Sequence, residues 1–235
     1  MRMMHTHEER AMATTQGWQQ QSNAPDPRAT TRTRARYSRL APFYDRLEAR
    51  AESTRFRGWR AMLWGRVRGP RVLELGVGTG KNFPFYRPDL CVTAVDLTPA
   101  MLSRARARAT REGTPVTLQL ADAQALPFPN ASFDTVVATF VFCSVPDPVL
   151  GLREAFRVLA PGGQLLLLEH VLSQRPALNR LMRLANPLVV RMMGANIDRE
   201  TVTNVHRAGF ASANVTDLWR DIVKLIEAQR PLEQG

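Results

Sequence analysis

The sequence predicts an α/β fold: a doubly wound, mostly parallel sheet with helices on both faces and an antiparallel hairpin at its C-terminal edge. Strand-like and helix-like segments alternate four times in succession after Gly69-Pro70. The strand segments are nearly continuous apolar runs, the pattern of strands covered on both faces. Close to the C-terminus, "ANVTDLWR" and "DIVKLIEAQ" are two β-like stretches near enough to pair as a hairpin.

In chain order, residues 1–35 are rich in Gln, Thr, Pro, Arg and Met without periodicity, and read as a disordered tail. A single domain is expected over 36–235. It opens with a helical cap, 36–68, interrupted by Pro42 and bearing Leu40, Phe43, Tyr44 and Leu47 as apolar positions. "RVLELG" is the first strand, and a helix is expected after its glycines. "CVTAVD" is the second strand. "PAMLSRARARATREG" is a helix capped by Thr98, opened by Pro99 and ended by Gly113. "VTLQLAD" and "FDTVVATFVF" are the third and fourth strands. "VLGLREAFRVL" is amphipathic, with Leu150, Leu152, Ala155, Phe156 and Leu159 on one side. "GQLLLLEH" is the fifth strand, and a helical insert over 172–200 precedes the hairpin.

Composition narrows the function classes. The longest uncharged apolar run, Thr135 to Pro146, is too short to span a bilayer. No apolar signal region is visible near the N-terminus, and the two cysteines, Cys91 and Cys143, each lie in an apolar segment. A disulfide framework is therefore not expected, and a cytoplasmic setting is. No His/Cys cluster suits a metal. The net charge is +11, nearly all of it arginine. Base composition or solvated helix faces account for that as simply as attraction to nucleic acid or an acidic membrane.

The stretch "VLELGVGTGKN" matches neither common phosphate loop. A dinucleotide fingerprint needs its third glycine where Lys81 stands, and a P-loop needs glycine at Leu75 and Ser or Thr at Asn82. In an open α/β sheet, ligands bind beyond the carboxyl ends of the strands. There the sequence places Gly76-Val77-Gly78-Thr79-Gly80, then Asp96, then Asp122-Ala123, then Val141 to Val145, then Glu169-His170. Asp96 lies twenty residues beyond Gly76, where an acid that grips ribose hydroxyls is expected.

With these residues, the chain resembles the class I S-adenosylmethionine (SAM)-dependent methyltransferases, a Rossmann-like family. "VLELGVGTG" is similar to their first motif, "AVDLTPAML" to the ribose segment, "LADAQALPFPNASFD" to the adenine segment and "RVLAPGGQLLLLEH" to the approach to strand five. The resemblance covers roughly 36–230 and implies SAM as cofactor. SAM carries no phosphate, so it needs a flat backbone rather than a ring of amides. By resemblance, Gly76, Gly78 and Gly80 supply that backbone, with Asn82 alongside. Asp96 accepts both ribose hydroxyls, Leu97 packs on the adenine with Met101 nearby, and Asp122 and the Ala123 amide read the adenine edge. Thr139 and Phe140 touch the methionine portion, while Tyr37 and Tyr44 close over the site. Lys81 is either a solvated first-turn residue or a contact for an anionic group.

Methyl transfer from a sulfonium asks the protein mainly to align nucleophile and methyl and to exclude water. A base helps where the acceptor carries a proton, and His170 is the best-placed candidate, its plainer role being to fix a loop. Asp45 and Asp147 are weaker alternatives, and His206 reads as structural. Within the family, "YSRLAPFYD", "GVGTGKNFPFY" and "LPFPNASFDTVVATFVFCSVPDP" resemble the group of ubiquinone/menaquinone C-methyltransferases and short bacterial phosphatidylethanolamine N-methyltransferases. "FVFCSVPDP" also resembles membrane-associated thiol methyltransferases. The insert sets Leu178, Leu181, Met182, Leu184, Leu188, Val189, Val190, Met192 and Met193 among Arg175, Arg180, Arg183 and Arg191. That mixture suits a lid with snorkelling arginines, a lipophilic pocket, or an anionic bilayer surface. A lipid or lipophilic acceptor is expected, phosphatidylethanolamine first, with a thiol or quinone precursor as the alternative. Nucleic acid is disfavoured: the strand-four exit is Phe142-Cys143-Ser144-Val145, without the tetrapeptide of amino-group nucleic-acid methylases.

Overall fold

The computed structural model describes residues 24–45 and 55–232, apart from the side chains of Met192 and Met193. Seven strands form one sheet in the order β3-β2-β1-β4-β5-β7-β6. They are β1 (Arg71–Leu75), β2 (Cys91–Asp96), β3 (Thr117–Leu120), β4 (Phe133–Thr139), β5 (Leu159–His170), β6 (Ala213–Trp219) and β7 (Val223–Gln229). The pairs β1–β2, β1–β4, β2–β3 and β4–β5 are parallel, and β7 joins β5 and β6 antiparallel. The expected α/β sheet with its C-terminal edge hairpin is thus the observed one.

Helices cover both faces because the strands alternate two apolar sets. Leu73, Val136, Leu165 and Leu167 pack one way, against α4 (Pro148–Val158) and α6 (Thr201–Arg207). Val72, Val137, Leu166 and Leu168 pack the other way, against α2 (Arg57–Trp64) and α3 (Pro99–Glu112). Leu165 to Leu168 are all fully buried. Each such side chain stabilises the fold by roughly 1.5–3 kcal/mol relative to exposure, so a polar residue in this run would dismantle the centre of the sheet.

Several boundaries differ from the sequence reading. The position set at 35/36 falls inside α1 (Pro27–Leu40), which Asp26 caps by accepting from the Arg28 amide at 2.9 Å. Residues 1–23 of the expected tail lie outside the described residues, as do 46–54 of the cap, including Leu47. Instead of an α-helix after the glycines there is a single 3₁₀ turn, Phe83–Phe85. Gly76, Gly78 and Gly80 all have positive φ (65°, 56° and 83°), a geometry no right-handed helix admits. Strand β4 stops at Thr139 because Phe140 turns to φ 57°. Thr98 occupies the N-cap position of α3 without making a side-chain capping bond, whereas Gly113 ends the helix in the left-handed conformation as expected. The insert forms α5 (Pro176–Met193), with Gly194 as its left-handed cap. Of the two cysteines in apolar segments, Cys91 is exposed and Cys143 is buried.

Candidate functional site

The chain reverses its direction of progress across the sheet between β1 and β4, and a cleft of about 740 Å³, open mouth included, lies at the carboxyl ends of these strands. Its floor is the glycine turn. The Val77 amide donates to the Val95 carbonyl at 3.0 Å, tying the turn to β2. The three glycines have separate reasons to lack a Cβ. At Gly76 it would meet Val141 at 2.5 Å, and at Gly80 Phe83 at 2.4 Å. At Gly78, which lines the cleft, it would protrude into open space.

Asp96 stands at the end of β2 with its carboxylate oriented by backbone. One oxygen accepts from the Gly78 amide at 2.9 Å and the other from the Thr98 amide at 2.8 Å. Burial raises its pKa, and the two amides counter part of that rise. Leu97 and Met101 follow on the same wall. Beyond β3, Asp122 and Ala123 line the cleft. The Asp122 carboxylate is fully engaged: it accepts from the Thr30 hydroxyl at 3.0 Å, the Gln124 amide at 2.9 Å and the Gln124 side chain at 3.0 and 3.1 Å. A carboxylate has about four lone-pair sites, so any further donor must displace one of these.

The wall from β4 is held by a buried acid. Glu169, fully buried at the end of β5, accepts from the amides of Val141 and Phe142 at 2.8 and 3.0 Å, which fixes the turn that sets Thr139 and Phe140 against the cleft. Its second oxygen is buried without a hydrogen-bond partner. Burial pushes this carboxyl up to about 7, against the opposing pull of the Phe142, Val141 and Cys143 amides and of Arg199. Burial likewise pushes the neighbouring Cys143 thiol up to about 12, so it is a poor nucleophile at neutral pH. Glu74 is a second buried acid, raised to about 7 by burial. It accepts from Tyr86 and, at 2.7 Å, from Asn82.

Helix α1 roofs the cleft. Thr33 and Tyr37 line it, and the Tyr37 hydroxyl is hydrogen-bonded to Ser144. Tyr44 lines it too. Lys81 is neither solvated nor in the cleft: its ammonium lies 3.9 Å from Asp45 and 5.2 Å from the Tyr44 ring centre. Asp45 also accepts from Thr79 at 2.6 Å and Arg108 at 3.1 Å, and Asp147 caps α4, so both acids already have structural partners.

Eleven of the thirteen residues expected around the cofactor line this one cleft; Gly80 and Asn82 do not. Asn82 is buried behind it, bridging Glu74, Thr139 and Arg60. His170 is not among the lining residues either. Its ring stacks on Phe140, centres 4.8 Å apart, and Phe56 approaches Phe140 at 4.8 Å and Trp59 at 5.6 Å. His206 bonds the Phe210 carbonyl at 3.1 Å, as its structural reading requires. Sequence reasoning missed Thr33 and Glu74, and reached Ser144 only as part of the Val141–Val145 stretch. The signal for Glu74 was present: a charged residue inside a buried strand demands partners.

Comparison with known proteins fits this geometry. The profile of a methyltransferase-domain family matches residues 73–167. A phosphatidylethanolamine N-methyltransferase from Cereibacter sphaeroides is 44% identical over 106 residues, which are 44% of this chain and 52% of that protein, so the match spans about half of the relative. A demethylmenaquinone methyltransferase from Thermus thermophilus is 36% identical over 168 residues, 68% of this chain and 76% of that protein. Among solved structures, a SAM-dependent methyltransferase from Thermotoga maritima shares the fold with a TM-score of 0.65 at 20% identity, covering 83% of this chain and 98% of that one. With one relative matched over three quarters of its length, and the family profile centred on the strands that build the cleft, the chain belongs to the S-adenosylmethionine-dependent methyltransferase family.

Proposed function

We propose that the protein transfers the methyl group of SAM to a lipid or lipophilic acceptor, the amine of phosphatidylethanolamine first among them. The cleft suits this cofactor. Gly78 leaves open the space that a Cβ would fill, and Asp96 retains lone pairs for ribose hydroxyls after its two backbone bonds. Gly76 and Gly78 carry the backbone beneath the sugar and methionine, Leu97 and Met101 flank the adenine, and Asp122 with the Ala123 amide takes its edge. Thr139 and Phe140 meet the methionine portion, and Tyr37 and Tyr44 exclude water from above. Bound SAM supplies a methyl group on a sulfonium, an electrophile with a good leaving group.

The observation that carries the acceptor class is the aromatic and apolar lining of the cleft, Tyr37, Tyr44, Phe140, Val141, Val145 and Pro146, with Phe56 and His170 packed on Phe140 outside that lining. An apolar, π-rich wall desolvates an amine and favours the cationic product of its methylation. A protonated amine has no lone pair, so its proton must leave before attack. His170, stacked on Phe140, is the titratable side chain assigned to that proton. Methylation of a quinone precursor is the second reading, favoured by the name and coverage of the Thermus relative.

Incubation with methyl-labelled SAM and fractionated lipid extract tests both. Label is expected in phosphatidylethanolamine derivatives; label confined to quinones selects the second reading, and label only in nucleic acid or water-soluble thiols overturns both. In the same preparation, Asp96→Ala is expected to weaken SAM binding at least a hundredfold by calorimetry. Unchanged affinity would mean that the ribose lies elsewhere.

A further inference from the structure

Helix α5 presents an apolar face that nothing described in the fold covers. Leu181, Leu184 and Leu188 recur at i, i+3 and i+7, which sets them on one side of the helix. They are 61%, 72% and 61% exposed, and of the helix's described side chains only Met182 is buried. The helix contains no acidic residue. Arg180 and Arg191 border the leucines, both exposed, and neither has an ion pair among the described residues, whereas Arg183, farther round, pairs with Glu200 at 3.0 Å.

The C-terminal end of α5 lies beside the roof and wall of the cleft. Gly194, which ends α5, packs on Arg36 of α1, where an added Cβ would lie 2.4 Å from the arginine Cδ. Arg36 precedes Tyr37 of the cleft roof. Just beyond, the Asn196 amide donates to the Cys143 carbonyl at 2.8 Å and Arg199 to the Val145 carbonyl at 2.9 Å, so the segment is tied to the loop that forms the cleft wall. Helix α1 also lacks acidic residues and exposes Arg28, Arg32, Arg34 and Arg39.

The combination selects one kind of partner. Leucines gain nothing from a nucleic-acid backbone, and the arginines reject a basic surface. Among the described residues, no helix is long and apolar enough to cross a membrane. An 18-residue helix, about 27 Å long, can instead lie along one, with leucines at the acyl boundary and arginines on lipid phosphates. We propose that the Leu181–Leu184–Leu188 ridge of α5 docks on an anionic lipid bilayer and holds the cleft mouth against its headgroups. Its purpose rests on the lipid-acceptor reading, while the docking itself needs no turnover.

Flotation with phosphatidylglycerol/phosphatidylcholine vesicles, without SAM, tests the surface. The wild-type protein is expected to bind these and not pure phosphatidylcholine. Leu184→Asp/Leu188→Asp is expected to reduce binding at least tenfold, and Arg180→Gln/Arg191→Gln severalfold, each with an unaltered circular dichroism melt because these side chains are exposed. Absence of wild-type binding, or full binding by the Leu184→Asp/Leu188→Asp variant, overturns the proposal. So does sedimentation in which that variant converts a dimer to a monomer, since the ridge would then belong to a second copy of the chain. Activity on detergent-dispersed phosphatidylethanolamine separates the two readings. Methylation without vesicle binding sinks the docking alone; ridge-dependent binding without lipid methylation sinks the acceptor assignment alone.

Discussion

Replacing Glu169 by Gln removes one buried charge while leaving an oxygen to accept from the amides of Val141 and Phe142. Glu169 is fully buried, and its carboxyl is pushed from an ordinary 4.5 to about 7. Between these values the native state binds more protons than the unfolded chain, so stability is greatest below 4.5, falls as pH rises, and levels off above 7. At about 1.4 kcal/mol per decade of proton affinity, the loss from Glu169 between pH 5 and pH 8 is about 2–3 kcal/mol. Glu74, raised to the same value, contributes a second loss of similar size. The Gln variant also leaves its amino group where the unpartnered carboxylate oxygen lay, which costs about 1–3 kcal/mol at every pH. In urea denaturation, Glu169→Gln is therefore expected to be the less stable protein at pH 5 and to draw level with the wild type near pH 8, with a shallower pH slope. A difference from wild type that stays constant from pH 5 to pH 8 would refute the reasoning, because Glu169 would then carry the same charge folded and unfolded.

Glu74→Gln is expected to make the slope shallower by a similar amount, measured in the same titration. Gly78→Ala places a side chain at φ 56° and a methyl in the cleft, and is expected to cost about 1–2 kcal/mol of stability and at least tenfold in SAM affinity by calorimetry. A variant that melts lower but binds SAM normally would show that the open side of Gly78 does not face the ligand. For His170→Ala, a fall in kcat of about a hundredfold that shrinks as pH rises fits proton removal by the imidazole. An equal fall at every pH would reduce His170 to a support for the Phe140 ring.

The sheet and the glycine-and-acid part of the site were legible because burial writes itself into sequence. Continuous runs such as Leu165 to Leu168 admit few alternatives, and Asp96 stands out where such a run ends. The first part of helix α1, residues 27–35, was not legible for the opposite reason. No residue of it is buried, so it has no apolar stripe to betray it. Hydroxyls hold the helix over the cleft, through Thr30 to Asp122 and Tyr37 to Ser144, and such bonds depend on partners about a hundred residues away. The helix expected after the glycines failed because three positive φ values in five residues coil the chain into turns, with Gly80 closing on Phe83. That same coiling drew Asn82 away from the cleft and into the Glu74 network.

The saturated carboxylate of Asp122 has a consequence in time rather than in space. On the proposed placement, the roof and the adenine compete for one acceptor, since Thr30 already holds a site that an amino group would need. Loading then begins with an exchange of partners at Asp122, and release of the spent cofactor ends with the reverse exchange. Each catalytic cycle contains two such handovers, and their rate sets a ceiling on turnover however fast the methyl moves.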